Sequence, residues 1–249
     1  MTVRGKVVLL TGASRGIGNA CIDAFGRRGA LLSLGARSHI GLPELLSTEC
    51  DLTRAVDREM LVRRTMERYG RIDILVNNAG SGVYGPTESA DLSEVLDLFQ
   101  LNLFAAVAMI QLVLPLMRVR GLGHVVNVSS IAAEIALPWM TMYSASKAAL
   151  SSVSSGLRRE LQGTGIRVTD VLPGYVTTSF QGSAIGKPPE GVLKFRSRAI
   201  SPERCAEAIV RGVERDARTV VTPASGWVAI LAERLVPWVV DSPLSKMNR

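Results

Sequence analysis

The sequence is poor in the residues from which metal sites and disulfide frameworks are built. Its 249 residues include only three cysteines and two histidines. Cys21, Cys50 and Cys205 lie far apart without a C-x-x-C pair, and His39 and His124 are near none of them. A metal site and a disulfide-stapled fold are therefore not expected.

Aromatic residues are also few, at 5% of the chain, although basic residues exceed acidic ones and give a formal net charge of +7. Arginines occur as scattered pairs at 27–28, 63–64 and 158–159, without the interleaved aromatics of a nucleic-acid-binding surface. We interpret these pairs as solvated helix surface and expect no nucleic-acid partner. The charge remains compatible with an anionic small molecule or an anionic lipid surface.

No targeting segment is recognisable. The apolar run before Gly12 is too short for a secretory leader, so we expect a cytoplasmic protein. Residues 98–117 are apolar enough to consider a membrane span, but Asn102 and Gln111 interrupt them and Pro115 lies near their end. We predict a buried or interface helix there.

The chain does contain a regular alternation of short apolar runs and longer segments of helical period. Helical segments begin near Gly16, Thr53, Leu92, Thr141 and Pro202. The alternation predicts a single α/β domain over residues 1–249, with a doubly wound parallel sheet and helices on both faces. Residues 38–49 are expected to form a short crossover, with room for a turn or two of helix. The predicted strands are 7–11, 31–37, 72–80, 124–130, 166–174 and 219–223.

A glycine-rich turn follows the first strand and opens the first helix, although its spacing departs from the G-x-G-x-x-G of the standard Rossmann fingerprint. Its spacing is G-x-x-x-G-x-G, and such a turn lets the backbone approach a pyrophosphate at the positive end of a helix. An ordinary tight turn is the alternative interpretation. The candidate phosphate-binding residues are Gly12, Ser14, Arg15, Gly16, Ile17 and Gly18.

The end of the second strand predicts the cofactor. An NAD-preferring site usually places an acidic residue there, whereas this chain has Arg37 and Ser38. With Arg15 they are suited to bind a ribose 2′-phosphate through charge-assisted hydrogen bonds. We therefore predict NADP(H), with NAD(H) as the alternative; surface arginines without a ligand are the other interpretation.

Tyr143 and Lys147 lie four residues apart among small neighbours. On a helix the two side chains share a face. An adjacent ammonium favours the phenolate, so we expect Lys147 to lower the pKa of Tyr143 toward the range of an acid-base catalyst. The small neighbours leave space for a cofactor and a substrate.

Together these features resemble the short-chain dehydrogenase/reductase family, in its Y-x-x-x-K branch with a T-G-x-x-x-G-x-G turn. The resemblance covers residues 3–222 and includes three further marks in family order, which are 77–80 (Asn-Asn-Ala-Gly), Ser129-Ser130 and Pro173-Gly174. It implies hydride transfer between a nicotinamide and a carbonyl or secondary alcohol. The shorter crossover at 38–49 and the tail beyond Pro223 depart from the usual family pattern.

The resemblance also assigns catalytic roles. It makes Tyr143 the proton donor or acceptor and Lys147 the group that tunes it and binds the nicotinamide ribose. Ser130 would bind the substrate oxygen, with Ser129 as its positioning neighbour. Asn102 would hold a water in a proton relay to the lysine, or else be a satisfied core amide.

Further cofactor contacts follow from the same resemblance. Asp51 and Leu52 would meet the adenine, with Asp51 accepting from its amine, and Thr177 would meet the nicotinamide carboxamide. The remaining cofactor residues implied are Asn78, Ala79 and Gly80 at the ribose and Pro173, Gly174 and Val176 at the nicotinamide.

The substrate end is predicted to be apolar. Residues at about 178–200 take the place of the family's substrate-covering loop, and their Gly and Pro content indicates a lid or a plain surface loop. The side chains expected around a hydrophobic carbonyl or alcohol substrate are Ile131, Ile135, Leu137, Trp139 and Phe180.

The tail at about 224–249 has apolar residues at near-helical spacing, and Pro237 ends or kinks that helix. It would cover the active site, pack on a second subunit or rest on an anionic membrane, and we expect packing on protein. The resemblance implies a homodimer or homotetramer through the helices starting near Leu92 and Thr141. We predict an NADP(H)-dependent oxidoreductase; the alternatives are a non-catalytic NADP(H)-binding sensor or scaffold and a membrane-surface reductase of lipid-like substrates.

Overall fold

A seven-stranded parallel sheet forms the centre of the protein. The computed structural model describes residues 1–180, 182, 184–186 and 199–245. The strand order is β3-β2-β1-β4-β5-β6-β7, and every pair within the sheet is parallel. This confirms the predicted doubly wound sheet. The strands are β1 (Val7–Thr11), β2 (Leu31–Ala36), β3 (Leu46–Glu49), β4 (Ile74–Asn77), β5 (Gly123–Val128), β6 (Ile166–Pro173) and β7 (Thr219–Thr222).

Helices cover both faces of the sheet. Short 3₁₀ turns at Thr87–Ser89 and Ile131–Ala133 and a π-helical turn at Gln100–Phe104 interrupt the regular elements. The α-helices are α1 (Gly16–Gly26), α2 (Ala55–Tyr69), α3 (Leu92–Phe99), α4 (Ala105–Arg120), α5 (Thr141–Glu160), α6 (Pro202–Glu214), α7 (Gly226–Leu235) and α8 (Pro237–Ser245).

Two cores sandwich the sheet because successive side chains of a strand point to opposite faces. In β1, Val8 and Leu10 pack with Phe25 of α1 and with α6 on one face. Leu9 packs with Met109 of α4 and with α2 and α5 on the other face. Both faces are therefore buried, which is why the strands are almost uniformly apolar.

The crossover at 38–49 differs from the expectation. It forms no helix, and its last residues, Leu46–Glu49, form β3, which pairs with β2 at the edge of the sheet. The LSTE sequence of this strand mixes polar and apolar residues because an edge strand is only partly covered. Because of this mixed composition, the sequence did not predict β3.

The predicted apolar helix is part of a continuous helical stretch at Leu92–Arg120. By length and hydropathy alone this stretch could cross a membrane. In the structure, 39% of its most apolar 18-residue segment is buried inside the protein. Core helices pass the same test, and here α4 packs against the sheet through a buried row. That row consists of Ala105, Ala106, Met109, Ile110, Val113 and Met117.

The strand order reverses between β1 and β4. From β1 the chain continues outward through β2 and β3, whereas β4 to β7 lie on the other side. At such a switch point the loops after neighbouring strands separate and leave a crevice at the carboxyl ends of the strands. The topology therefore places a ligand site between the turn after β1 and the loop after β4.

Candidate active site

A cavity of about 1250 Å³ occupies this carboxyl edge of the sheet. Its walls come from the glycine turn, the ends of β2 and β3, the loops after β4, β5 and β6, and one face of α5. Most of the predicted site residues line it. Of the predicted catalytic and cofactor-binding residues, the three that do not line it are Gly18, Asn102 and Thr177.

The glycine turn is shaped by close backbone approaches. Gly12 and Gly16 have φ values of +66° and +56°, a conformation that favours glycine. A Cβ on Gly12 would lie 2.8 Å from the Cα of Ala79, and one on Gly18 would collide with the Gly12 carbonyl oxygen. Gly18 thus packs the helix against the turn and does not face the cavity.

A hydrogen-bond clamp fixes the turn to the loop after β4. The Thr11 hydroxyl accepts from the backbone N–H groups of Asn78 at 3.0 Å and Ala79 at 3.2 Å. The Asn78 amide donates in return to the carbonyls of Thr11 at 3.0 Å and Gly12 at 3.1 Å. Asn78 therefore positions the phosphate end of the cavity through the backbone.

The start of α1 faces this end of the cavity. Its N-cap residue, Arg15, makes no side-chain capping bond to the first backbone N–H groups of the helix. Backbone N–H groups at a helix N-terminus beside an open cavity suit a pyrophosphate. The turn therefore fits the phosphates of a dinucleotide.

Basic and polar side chains surround the far end of the cavity. Arg15, Arg37 and Ser38 are exposed and line it. Asp51 lies in the same wall, and its Oδ1 accepts from the backbone N–H of Thr53 at 2.9 Å and from the Thr53 hydroxyl at 2.8 Å. These two bonds, with the charge of Arg37, lower the pKa of the Asp51 carboxyl.

Tyr143 and Lys147 project from one face of α5, as their spacing predicts. Both are buried, and the Lys147 Nζ lies 5.9 Å from the centroid of the Tyr143 ring. Lys147 Nζ donates to the Val128 carbonyl at 2.9 Å, at the end of β5. Ser130, two residues further on, lowers the pKa of the Tyr143 phenol, and its Oγ accepts from Ala132 N at 3.1 Å.

Burial dominates the protonation of both groups. It raises the pKa of Tyr143 to about 12, opposed by the hydrogen bond with Ser130. It lowers the pKa of Lys147 to about 8, opposed by the charge of Asp170. The expectation that Lys147 lowers the pKa of the phenol is not met in this structure, because burial is the largest influence on that pKa and raises it. The phenol is neutral at pH 7, the form that donates a proton.

Asn102 lies in the π-helical turn between α3 and α4, next to Lys147. Its Oδ1 accepts from Ser81 N at 2.8 Å, and its Nδ2 donates to Ser81 O and Ser146 Oγ, each at 3.0 Å. A Cβ on Gly80 would lie 3.0 Å from this Oδ1 and 3.3 Å from Lys147 Nζ. The side chain has the bonds of a satisfied core amide, and its part in a water relay stays a prediction.

The Thr177 prediction also needs a correction of place. Thr177 is exposed, and its N–H donates to the Ile200 carbonyl at 2.9 Å. The neighbouring Thr178 lines the cavity instead, where its side chain lies close to Gly16. Thr178 is therefore better placed than Thr177 to meet a ligand in this structure.

The opposite end of the cavity is apolar. Three of the five predicted substrate residues line it, namely Ile131, Leu137 and Phe180, and the Phe180 ring lies 5.8 Å from that of Tyr143. Ile135 packs under the tail, and Trp139 lies outside the lining. Much of the predicted lid, at 181, 183 and 187–198, lies outside the described residues. Sequence reasoning did not find the other apolar lining residues, which include Val83, Tyr84, Leu98, Met140 and Ile185.

The tail forms two short helices, α7 and α8, that meet at Pro237 as predicted. Ile230 packs with Ile135, Leu172 and Val221, so the inner face of the tail lies on the body of the protein. Leu244 packs against this cluster and also against the cluster that contains Tyr143. The outer face exposes Trp227, Val228, Leu231, Leu235, Trp238 and Val239.

Sequence comparison places this site among known oxidoreductases. The family model for short chain dehydrogenases matches residues 6–187. A ketoacyl reductase, HetN, from a Nostoc species is 31% identical over 88% of this chain and 79% of its own length. The 11-beta-hydroxysteroid dehydrogenase A of Sesamum indicum is 32% identical over 95% of this chain and 75% of its own length.

Solved structures agree with this assignment. A short chain dehydrogenase from Burkholderia cenocepacia in complex with NADP has a TM-score of 0.81 and 29% identity, covering 98% of this chain and 99% of its own. A 3-ketoacyl-(acyl-carrier-protein) reductase from Brucella melitensis complexed with NADH has a TM-score of 0.80 and 25% identity, covering 88% and 97%. The chain therefore belongs to the short-chain dehydrogenase/reductase family and is an NAD(P)-dependent oxidoreductase.

Proposed function

We propose that this protein is an NADP(H)-dependent oxidoreductase that interconverts an apolar carbonyl compound and its secondary alcohol. The observation that carries the proposal is the placement of Ser130 and Tyr143 together in the wall of the cavity. Both side chains line the cavity where its polar wall meets its apolar end. A substrate oxygen placed between them would have a proton donor and a second hydrogen-bond partner.

The cavity is suited to a nicotinamide dinucleotide. The turn at Gly12–Gly16 and the start of α1 would hold the phosphates, and Lys147 the nicotinamide ribose. When bound, this cofactor supplies or accepts the hydride. The protein groups orient the substrate, exclude water and move the proton.

Each catalytic side chain then has a separate task. Ser130 binds the substrate oxygen and orients it toward the phenol. Tyr143, neutral at pH 7 in this structure, donates its proton to that oxygen as negative charge develops on it, and accepts a proton in the reverse direction. Lys147 sits on the same helix face with its ammonium fixed by Val128 O, and Asn102 fixes the neighbouring loop through Ser81.

The preference for NADP(H) rests on charge. Two arginines, Arg15 and Arg37, meet Ser38 at the end of the cavity beyond β2, where NAD-binding sites carry an acidic residue. The Asp51 carboxylate nearby is bonded to Thr53 through its Oδ1. A ribose 2′-phosphate would neutralise the local positive charge.

The experiment is an absorbance assay of NADPH oxidation over a panel of apolar ketones and aldehydes, with the wild type and Tyr143→Phe. We expect turnover by the wild type on part of the panel. The variant loses only the hydroxyl, so its turnover should fall by at least 10²-fold, a typical contribution of general acid catalysis, while NADPH affinity stays within about twofold. Tight NADPH binding without turnover on any compound would favour the sensor or scaffold, and a fully active variant would show that another group donates the proton.

A further inference from the structure

The turn before α5 contains a strained residue. Trp139 has a φ of +63°, in the left-handed region that glycine occupies easily and a bulky side chain rarely does. Among the described residues, Trp139 and Asp216 are the two non-glycine residues with a positive φ. Such a conformation costs free energy and persists only where the surrounding structure enforces it. The neighbours of Trp139 must therefore hold it in place.

A backbone hydrogen bond ties Trp139 to the loop after β4. The Gly85 N–H donates to the Trp139 carbonyl oxygen at 2.8 Å, and this bond does not depend on the side chain at position 85. In the same loop, the Tyr84 N–H donates to the Ile185 carbonyl at 2.8 Å, and the Ile185 N–H donates to the Gly82 carbonyl at 3.0 Å. The loop is thus fixed both to the segment after β6 and to the turn before α5.

Further hydrogen bonds join this turn to the first turn of α5. The Met140 N–H donates to the Leu137 carbonyl at 3.1 Å, and the Leu137 N–H donates to Ser144 Oγ at 3.3 Å. The Ser144 N–H donates in return to the Met140 carbonyl at 2.8 Å. Met140 is also the N-cap residue of α5 and makes no side-chain capping bond. The start of the helix is therefore positioned by the backbone of the turn.

The residues on either side of Trp139 belong to the wall of the cavity. Leu137 and Met140 line its apolar end, whereas Trp139 does not line it. Met140 is buried and belongs to the same apolar cluster as Tyr143, three residues later. A change of backbone direction at Trp139 would therefore move two wall residues and the first turn of the helix that carries Tyr143.

We propose that Trp139 is a positioning residue, which acts through its left-handed backbone and the bond from Gly85 to place Tyr143 against the apolar wall. The inference rests on the proposed function, because it takes Tyr143 as the proton donor. It also gives a role to Trp139, which the sequence predicted beside the substrate and which lies outside the cavity lining. A residue that cannot hold the left-handed turn should misplace Tyr143 even though it touches no ligand.

Variants that all lack the indole ring separate the backbone of Trp139 from its side chain. Asparagine tolerates the left-handed region, whereas valine, of similar size, strongly disfavours it. In the NADPH absorbance assay, the kcat of Trp139→Val should be at least about tenfold lower than that of Trp139→Asn, because a misplaced proton donor reacts slowly. Their affinities for NADPH should agree, because the residues beside Trp139 line the substrate end. Equal kcat values in the two variants would overturn the proposal.

Trp139→Gly is a second variant whose backbone tolerates the turn. Its kcat should lie close to that of Trp139→Asn, because glycine adopts a positive φ without steric cost. Losses of the same size in all three variants would assign the effect to the missing indole ring. That result would contradict a role of the backbone at Trp139.

Asp216 provides the matched control. It has the other positive φ, at +52°, and lies between α6 and β7, at the edge of the sheet opposite the cavity. In urea denaturation, Asp216→Val should be less stable than Asp216→Asn, because valine is strained at that φ. The two Asp216 variants should have the same kcat. If Asp216→Val is slowed as much as Trp139→Val, strain at any position slows the reaction, and Trp139 has no positioning role.

The wild-type protein provides a test that does not depend on the folding of any variant. If the bond from the Gly85 N–H to Trp139 O holds the turn, that amide should exchange its hydrogen at least about tenfold more slowly than an unprotected amide. NMR measures the exchange rate. A Gly85 amide that exchanges at the unprotected rate would contradict the tie between the loop after β4 and the turn.

A measurement without turnover separates this inference from the proposed function. Met140 is one of eight methionines, so its signal can be followed by NMR with ¹³C-methyl methionine and assigned by Met140→Leu. The signal should differ between Trp139→Val and Trp139→Asn, because Met140 directly follows the strained residue. That difference without turnover of any ketone by the wild type would sustain the positioning role and reject the proposed reaction. Turnover with equal Met140 signals and equal kcat values in the two variants would reject the role of Trp139 and leave the reaction standing.

Discussion

Arg37 is the residue on which the cofactor preference depends most directly. Arg37→Asp places a carboxylate where the 2′-phosphate is proposed to lie, so NADPH affinity should fall by 10²-fold or more while NADH affinity changes by less than about threefold. Fluorescence titration with both nucleotides measures the ratio. Arg211→Asp makes the same charge change on the exposed surface of α6, outside the cavity lining, and should leave the ratio unaltered. Equal losses for both nucleotides in Arg37→Asp would assign the phosphate to another group.

Lys147 is expected to lower the free energy of unfolding, although it is needed for the proposed reaction. Its pKa falls from 10.5 in the unfolded chain to about 8 in the fold, because burial disfavours its charge. The sign follows from that direction: the penalty is absent above about pH 10.5 and complete below about pH 8. At pH 7 it amounts to roughly 3 kcal/mol, and the bond from the charged amine to Val128 O offsets about 1.5 kcal/mol of it.

Lys147→Met should therefore abolish turnover and raise the free energy of unfolding by roughly 2 kcal/mol at pH 7, with the gain shrinking toward pH 10. Urea denaturation at both pH values measures it. Lys6→Met removes a lysine that is not fully buried and should change stability by less than about 0.5 kcal/mol. A destabilised Lys147→Met protein would show that the hydrogen bonds of the amine stabilise the fold by more than its desolvation costs.

The junction of the β4 loop, the π-helical turn and α5 shows how elements position the reacting groups. Gly80 gives room there for Asn102 and Lys147 to approach each other. Gly80→Ala would push its Cβ between them, so kcat should fall by about tenfold or more while the melting temperature changes little. Gly85→Ala, where an added Cβ meets nothing within 4 Å, is the control. Unchanged kcat in Gly80→Ala would mean that Asn102 and Lys147 can move apart without any loss of activity.

Elements differ in how well the sequence predicts them. The buried strands and the helices at Gly16, Leu92, Thr141 and Pro202 follow from strong periodicity, and the structure has them at those starts. The edge strand β3 and the π-helical turn do not follow from periodicity. Both depend on tertiary contacts, which the local sequence does not show. Asp170 did leave a signal, since a charged residue is unusual inside the run IRVTDVLP of a buried strand.

The candidate site also has features that the sequence predicts well and features that it predicts poorly. Spacing along α5 and the glycine turn predicted the placement of Tyr143, Lys147 and Gly12, because each depends on a single element. The prediction that Lys147 lowers the pKa of Tyr143 was wrong for this structure, because burial raises that pKa and depends on the packing of the whole site. Thr177 was misplaced by one residue for a related reason, since the path of the loop after β6 is set by its pairing with Ile200.

Among the described residues, two groups of neighbouring apolar side chains are exposed. Leu92, Leu96 and Phe104 are exposed along α3 and the π-helical turn, where the dimer or tetramer contact is predicted. The outer face of α7 and α8 is the other place, and a second copy or an anionic membrane surface are the partners predicted for it. The inner face of the tail already has its partner, which is the body of the protein.

Neighbouring residues of α7 test whether the tail is an integral part of the domain. Ile230 is 4% exposed and packs on Leu172 and Val221, whereas Leu231 is 56% exposed on the outer face. Ile230→Ala should cost about 2–4 kcal/mol of unfolding free energy, because it opens a cavity under the tail, and Leu231→Ala less than about 0.5 kcal/mol. Denaturant unfolding measures both. Equal, small effects would mean that α7 contributes little to the stability of the fold and that the tail acts only in binding a partner.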